Sequence, residues 1–184
     1  MKLINYQSMI KTWSVLCCFF FAVSTSTHVR ANDAAIDSTY LGEDWTLTNL
    51  NNQAVTLSDY QGQPVILVFW ATWCPYCKKL LPGITLLNDK YQQQGLKVIA
   101  VNIKEDWKPH LYWRNHGYTF DAVLEGDAIA QMYGIKGTPG IVFIAPSGKV
   151  LKVTHFSDPE HPSLEKFAQH FLAQSPSKRV KNPL

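Results

Sequence analysis

Charge is scarce in this sequence. Only 17% of its 184 residues are Asp, Glu, Lys or Arg, and 17 basic residues stand against 14 acidic ones. A net charge of +3 gives no ground for a nucleic acid partner. Cysteine is scarce too: four in the whole chain are too few for a scaffold held by disulfides. Long apolar runs are missing, as are internal repeats and any linker between domains. The chain is therefore neither a polytopic membrane protein nor a repeat array. What is present is an ordinary hydrophobic fraction, 46%, with 9 Phe, 8 Tyr and 6 Trp. That fraction excludes wholesale disorder, and the length suits one domain with at most an appendage.

Residues 1–31 differ from the rest. They hold Lys2, Lys11 and Arg30, no acidic residue, and an apolar run of 11 residues from Trp13 to Val23. Such a run has the length of a signal-peptide core and is short for a bilayer span. Val29-Arg30-Ala31 suits signal peptidase, so cleavage is expected after Ala31; an uncleaved anchor is the alternative. Either way the remainder is expected outside the cytoplasm, and it meets a membrane only if the segment is retained. Cleavage leaves 153 residues with 14 basic and 14 acidic side chains, and only Cys74 and Cys77. A domain of about 150 residues buries enough surface to need no staples, so that pair is free for chemistry.

The mature chain begins with a polar leader, 32–43. Trp45 to Leu57, turning at Asn51-Asn52, reads as a β-hairpin. Ser58 to Gly62 reads as a short helical turn. Pro64 to Trp70 is unbroken apolar, the mark of a strand buried on both faces. Cys74 to Tyr91 has a helical stripe of Leu80, Leu81, Ile84, Leu87 and Tyr91, with Pro82 expected to kink it. Leu96 to Val101 is a second buried strand, so this unit predicts parallel pairing with a right-handed crossover. A helix over 106–116, a strand over 120–124 and a helix over 127–133 follow. A hairpin, 140–145 and 149–156, and a closing helix, 163–172, complete the pattern. The tail 174–184, with Lys178, Arg179 and Lys181, reads as disordered and solvated. The architecture predicted is α/β, one central sheet with helices on both faces.

Trp73-Cys74-Pro75-Tyr76-Cys77 lies where the buried strand gives way to a helix. A Cys-x-x-Cys pair there reads as a redox motif. Cys74 falls at the helix N-terminus, where free N–H groups and the macrodipole favour a thiolate. Pro75 suits the first helical position. Cys77 lies on the same helix face, so a disulfide opens and closes with little backbone movement. The chemistry calls for an exposed thiolate, Cys74, and a shielded partner, Cys77, to resolve the mixed disulfide. Two other readings of the pair are a structural disulfide and half of a metal site. A loop so small gains little from closure. A zinc site needs four ligands, and His110, His116, His155 and His161 lack partner spacing. No metal and no cofactor is expected. Before the strand at 140, Gly137-Thr138-Pro139-Gly140 suits either a cis or an ordinary trans proline turn.

Phe69 to Lys79, with Pro82 beyond, resembles the active-site region of the thioredoxin superfamily, and Gly137-Thr138-Pro139 resembles its cis-proline loop. The opening hairpin, Leu57 to Gly62 and the insert 106–124 are similar to the extracytoplasmic TlpA/ResA-like branch. The resemblance implies a thioredoxin fold: a central mixed sheet with helices on both faces, an N-terminal β-hairpin and a central helix-strand insert. It implies thiol–disulfide exchange with protein thiols and disulfides, more often reductive, with electrons from a membrane-embedded donor. By the same resemblance, Cys74 is the nucleophile, Cys77 the resolving thiol and Pro139 cis. Trp73, Pro75, Tyr76, Thr138 and Pro139 would then bind the substrate.

The sequence departs from that pattern twice. Val68 stands where thioredoxins carry an acid, and Leu80 where the TlpA-like branch often carries glutamate. Such acids handle the proton of the resolving thiol. Glu105 and Glu125 are the candidate substitutes. Pro75-Tyr76 is similar to the glutaredoxin pair, whose family is less reducing than thioredoxin by roughly 40–70 mV. Two other classes stay open: a thiol peroxidase of related fold, although Thr72 is one residue out of register for that motif, and a metal carrier or adaptor. Trp107, Tyr112 and Trp113 in the insert read either as core or as a partner face.

Overall fold

The computed structural model describes residues 43–173. The expected signal peptide, the polar leader up to residue 42 and the tail 174–184 lie outside them. Two antiparallel strands, β1 (Thr46–Thr48) and β2 (Ala54–Thr56), form the predicted hairpin. A 3-10 turn, Leu57–Tyr60, then leads into β3 (Val65–Trp70). The remaining elements are α1 (Pro75–Tyr91), a second 3-10 turn (Gln92–Gln94), β4 (Lys97–Asn102), α2 (Pro109–His116), β5 (Asp121–Val123), α3 (Asp127–Met132), β6 (Gly140–Ile144), β7 (Val150–Thr154) and α4 (Pro162–Leu172).

Five strands form one mixed sheet in the order β5-β4-β3-β6-β7. β3 pairs parallel with β4 and antiparallel with β6, with Val68 opposite Ala100 on one side and Ile141 on the other. All six residues of β3 are buried, which is why its sequence shows no polar alternation. Alternate residues face opposite layers. Ile66, Val68 and Trp70 pack with residues of α1, α2 and α4. Val65, Leu67 and Phe69 pack with α3 and the hairpin. The hairpin is tied to β5 by Leu50 N–H to Ala122 O and Leu124 N–H to Thr48 O. These are the helices on both faces and the terminal hairpin that the sequence predicts.

The predicted stripe on α1 is buried throughout, and the helix continues past Pro82 to Tyr91. α2 begins three residues later than the pattern suggests, with Pro109 in its first turn. Proline is best placed there, and it disfavours helix in the residue before it. Trp107 therefore precedes the helix. Tyr112 and Trp113, inside it, are buried, whereas Trp107 is 58% exposed. The insert thus supplies both core and surface, divided by where its helix starts. No helix among the described residues is long and apolar enough to cross a membrane.

Candidate functional site

β3 carries the chain to its C-terminal end, between a parallel neighbour and an antiparallel one. Open sheets place their ligands at such ends. Ala71 to Trp73 turn away from the sheet, and Cys74 caps α1. Its sulfur accepts the Cys77 N–H at 3.2 Å, with Pro75 at the first helical position. This is N-capping with sulfur in place of the usual oxygen. The same N–H aims its positive end where negative charge develops on a thiolate. On its other side, Cys74 Sγ lies 3.5 Å from the Thr138 carbonyl oxygen, to which the thiol donates. Both cysteines carry free thiols.

One expectation needs correction. Cys74 is not an exposed group: it is 2% accessible, against 1% for Cys77. The fold tucks its side chain against its own helix and under the Thr138 carbonyl. What faces solvent is the flanking pair, Trp73 at 48% and Tyr76 at 63%, together with Pro75. Trp73 is held by its indole N–H, which donates to Lys104 O at 2.7 Å.

Cys77 sits deeper, in one apolar cluster with Trp70, Leu80, Tyr112 and Trp113. Burial pushes its thiol well above the ordinary range, and the neighbouring Cys74 sulfur pushes the same way. The Ala71 backbone and the Thr138 hydroxyl favour the thiolate but do not offset these. Val68 and Leu80, the positions where related proteins carry acids, are fully buried. The structure supplies no carboxylate there.

The Thr138-Pro139 bond is cis, the alternative that the resemblance implied. Pro139 is buried, and its carbonyl lies 3.0 Å from His155 Nδ1. The Thr138 hydroxyl is buried and makes no hydrogen bond of ordinary geometry, although it acts on the Cys77 sulfur. The loop therefore lies beside the pair, with the Thr138 carbonyl facing Cys74.

The two candidate acids separate clearly. Glu125 is exposed and in the left-handed region, at φ 57°. Glu105 turns toward the turn before Cys74. Its Oε1 accepts from Thr72 Oγ1 at 2.6 Å, Asp106 N–H at 3.1 Å and Trp107 N–H at 3.1 Å. Its Oε2 accepts from Thr72 N–H at 3.1 Å and Asn102 Nδ2 at 2.8 Å. Burial works to raise its pKa, but the bonds from Thr72, Asn102 and Trp107 outweigh it, so the carboxyl titrates below its usual range. None of these bonds reaches a cysteine, so Glu105 does not stand in for the missing acid. Its placement was not legible in the sequence, because Thr72 and Glu105 come from different loops.

Among the described residues, no three His, Cys, Asp or Glu side chains converge as metal ligands would. His161 instead caps α4, accepting from Ser163 N–H at 3.2 Å.

This arrangement can do one kind of chemistry directly: exchange between two adjacent thiols and a disulfide brought to Cys74. Comparison with known proteins agrees. Residues 42–153 match the AhpC/TSA family. The thiol-disulfide oxidoreductase ResA of Bacillus subtilis is 34% identical over 111 residues, which cover 59% of this chain and 62% of that protein, less than two thirds of its length. ResA of Geobacillus thermodenitrificans is 31% identical over 144 residues, 76% of this chain and 80% of that one. Among solved structures, the thiol:disulfide interchange protein DsbE of Chlorobium tepidum shares 29% identity at a TM-score of 0.63, covering 71% of this chain and 94% of that chain. A thioredoxin of Neisseria meningitidis, at 24% identity and a TM-score of 0.66 over 75% of this chain and 93% of that chain, shows the fold alone. The chain belongs to the AhpC/TSA family, has a thioredoxin-like fold, and is similar to the thiol-disulfide oxidoreductase ResA.

Proposed function

We propose that this protein exchanges thiols and disulfides with protein clients outside the cytoplasm, in the reducing direction, through Cys74 and Cys77. The observation that carries the reading is the setting of Cys74. It caps a helix, receives the Cys77 N–H and faces the loop of a cis proline.

In the first step, Cys74 thiolate attacks a client disulfide. A Cys74–client bond forms, and the other client sulfur leaves as a thiolate and takes a proton from water. In the second step, Cys77 loses its proton to solvent and attacks Cys74 Sγ. The internal disulfide forms and the second client thiol departs. Two electrons have passed from the dithiol to the client, and a membrane-embedded donor is the class of reductant that would restore them. Trp73, Pro75 and Tyr76 flank the approach. Thr138 and Pro139 offer the backbone beside which an extended client segment lies. The extracytoplasmic setting is supported by the leader-like composition of residues 1–31, and the reducing direction by the resemblance of the opening hairpin and the insert to the TlpA/ResA-like branch.

The test is insulin reduction by the purified protein, with a redox titration against dithiothreitol. A reversible two-electron transition that vanishes in Cys74→Ser supports the reading. Insulin reduction that survives Cys74→Ser sinks it. The redox state of the pair in cells decides direction: mostly reduced thiols mark a reductase, mostly oxidised ones an oxidase.

A further inference from the structure

The Glu105 carboxylate takes no part in the exchange steps above, yet it is the most heavily bonded side chain near them. Five donors meet on its two oxygens, from Thr72 twice, Asn102, Asp106 and Trp107. Thr72 is itself buried and lies two residues before Cys74. It is joined to Glu105 by both its backbone N–H and its hydroxyl. Asn102, at the end of β4, links the same carboxylate to the sheet, and its amide also lies 3.5 Å from Trp70 O. The neighbouring residue, Lys104, is left-handed at φ 49°, and its carbonyl receives the Trp73 indole. One carboxylate thus joins the turn before Cys74, the end of β4 and the segment that carries Trp107. Two exposed indoles, Trp73 and Trp107, ride on segments bound to it.

We infer that Glu105 is a positioning residue for the exchange reaction: its carboxylate fixes the Thr72-Trp73 turn, so that Cys74 stays aligned between the Cys77 N–H and the Thr138 carbonyl. The charge and both oxygens matter. Glutamine at this position has one acceptor oxygen for donors that now use two, and its amide brings two further donors. Some buried donors then lose their partners, and the turn relaxes away from the carboxylate. The sulfur moves with it, and misplacement by about 1 Å is enough to slow a reaction ~100-fold. This inference rests on the exchange reading above.

The experiment uses the full, reduced chain and a small aromatic disulfide that releases one coloured thiol when Cys74 attacks and a second when Cys77 resolves. Glu105→Gln is expected to slow the first release about 10- to 100-fold at temperatures where the variant is folded. Thr72→Val removes one donor while keeping the side-chain shape, and is expected to slow it about 3- to 10-fold. In the double variant the two losses should be less than additive, because they break one interaction. A first release within about twofold of the parent in folded Glu105→Gln overturns the inference. So do losses that add fully in the double variant. Where Glu105→Gln does not fold, Thr72→Val alone decides, and an unchanged rate refutes. Failure of the exchange reading looks different: the parent protein itself releases no thiol, or Cys74→Ser releases it as fast.

Discussion

Replacing Thr138 by valine separates the two thiols. The hydroxyl is buried and lacks a hydrogen bond of ordinary geometry. Its removal therefore breaks nothing that holds the fold, and valine keeps the β-branched shape. The Thr138 carbonyl that faces Cys74 belongs to the backbone and stays. What is lost is the one side-chain hydroxyl that favours the Cys77 thiolate against burial. A hydrogen bond to a charged group is worth about 1.5–3 kcal/mol, and each ~1.4 kcal/mol is tenfold in rate. The Thr138 hydroxyl is the smallest of the influences on Cys77 and makes no hydrogen bond of ordinary geometry, so resolution by Cys77 should slow about 3- to 10-fold, while attack by Cys74 and the denaturant midpoint stay near the parent values. The assay is the two-step release of a coloured thiol from a small aromatic disulfide, followed as a function of pH. Because burial holds the Cys77 thiol high, the second release should rise about tenfold per pH unit in both proteins, with no plateau near the ordinary thiol value of ~8.5. A second release unchanged in Thr138→Val refutes the role given to the hydroxyl. A plateau at neutral pH refutes the burial argument itself.

Two further predictions concern stability. Above the ordinary thiol pKa of ~8.5, unfolded Cys77 gives up its proton and folded Cys77 keeps it. The folded state then binds more protons, so its stability falls as pH rises, by about 1.4 kcal/mol per unit, until the raised pKa is reached. Denaturant curves of the reduced protein should show this slope between pH ~8.5 and ~10, below the range where Tyr112 and Tyr118, also raised by burial, add the same trend, and Cys77→Ala should lack it there; equal slopes would remove the premise that Cys77 is buried as a neutral thiol. Gly83→Ala places a methyl group on the Pro159 backbone, which packs against α1. Alanine improves helix propensity by up to ~1 kcal/mol, but overpacking costs about 1–3. A net loss is expected, read as a lower denaturant midpoint, and a stabilised variant would show that the segment at Pro159 yields.

Much of this fold is written locally. The unbroken apolar run of β3, the 3.6-residue stripe of α1 and the glycine-flanked turns mark elements with ranges of a few residues, and these emerge within a residue or two. Hydrophobic spacing alone starts α2 at residue 106, but the ring of Pro109 sets where the helix begins, which places Trp107 in an exposed loop rather than on a helix face. The fate of Tyr112 and Trp113 was open for another reason: aromatic residues suit core and surface equally until the packing is known.

The sequence by itself determined the fold class, the cysteine pair at the start of a helix and the absence of acids at Val68 and Leu80. Each depends on residue type at short spacing, where periodicity and helix-end chemistry operate. Tertiary structure alone decided how the pair is held. Cys74 meets Thr138 across 64 positions and Thr72 meets Glu105 across 33. No local pattern encodes such pairings, because they arise when β3, β4 and β6 are brought side by side. The same assembly buries Cys74, which its place at a helix end did not foretell. It also assigns the nearest candidate acid to the backbone of the active-site turn rather than to a proton.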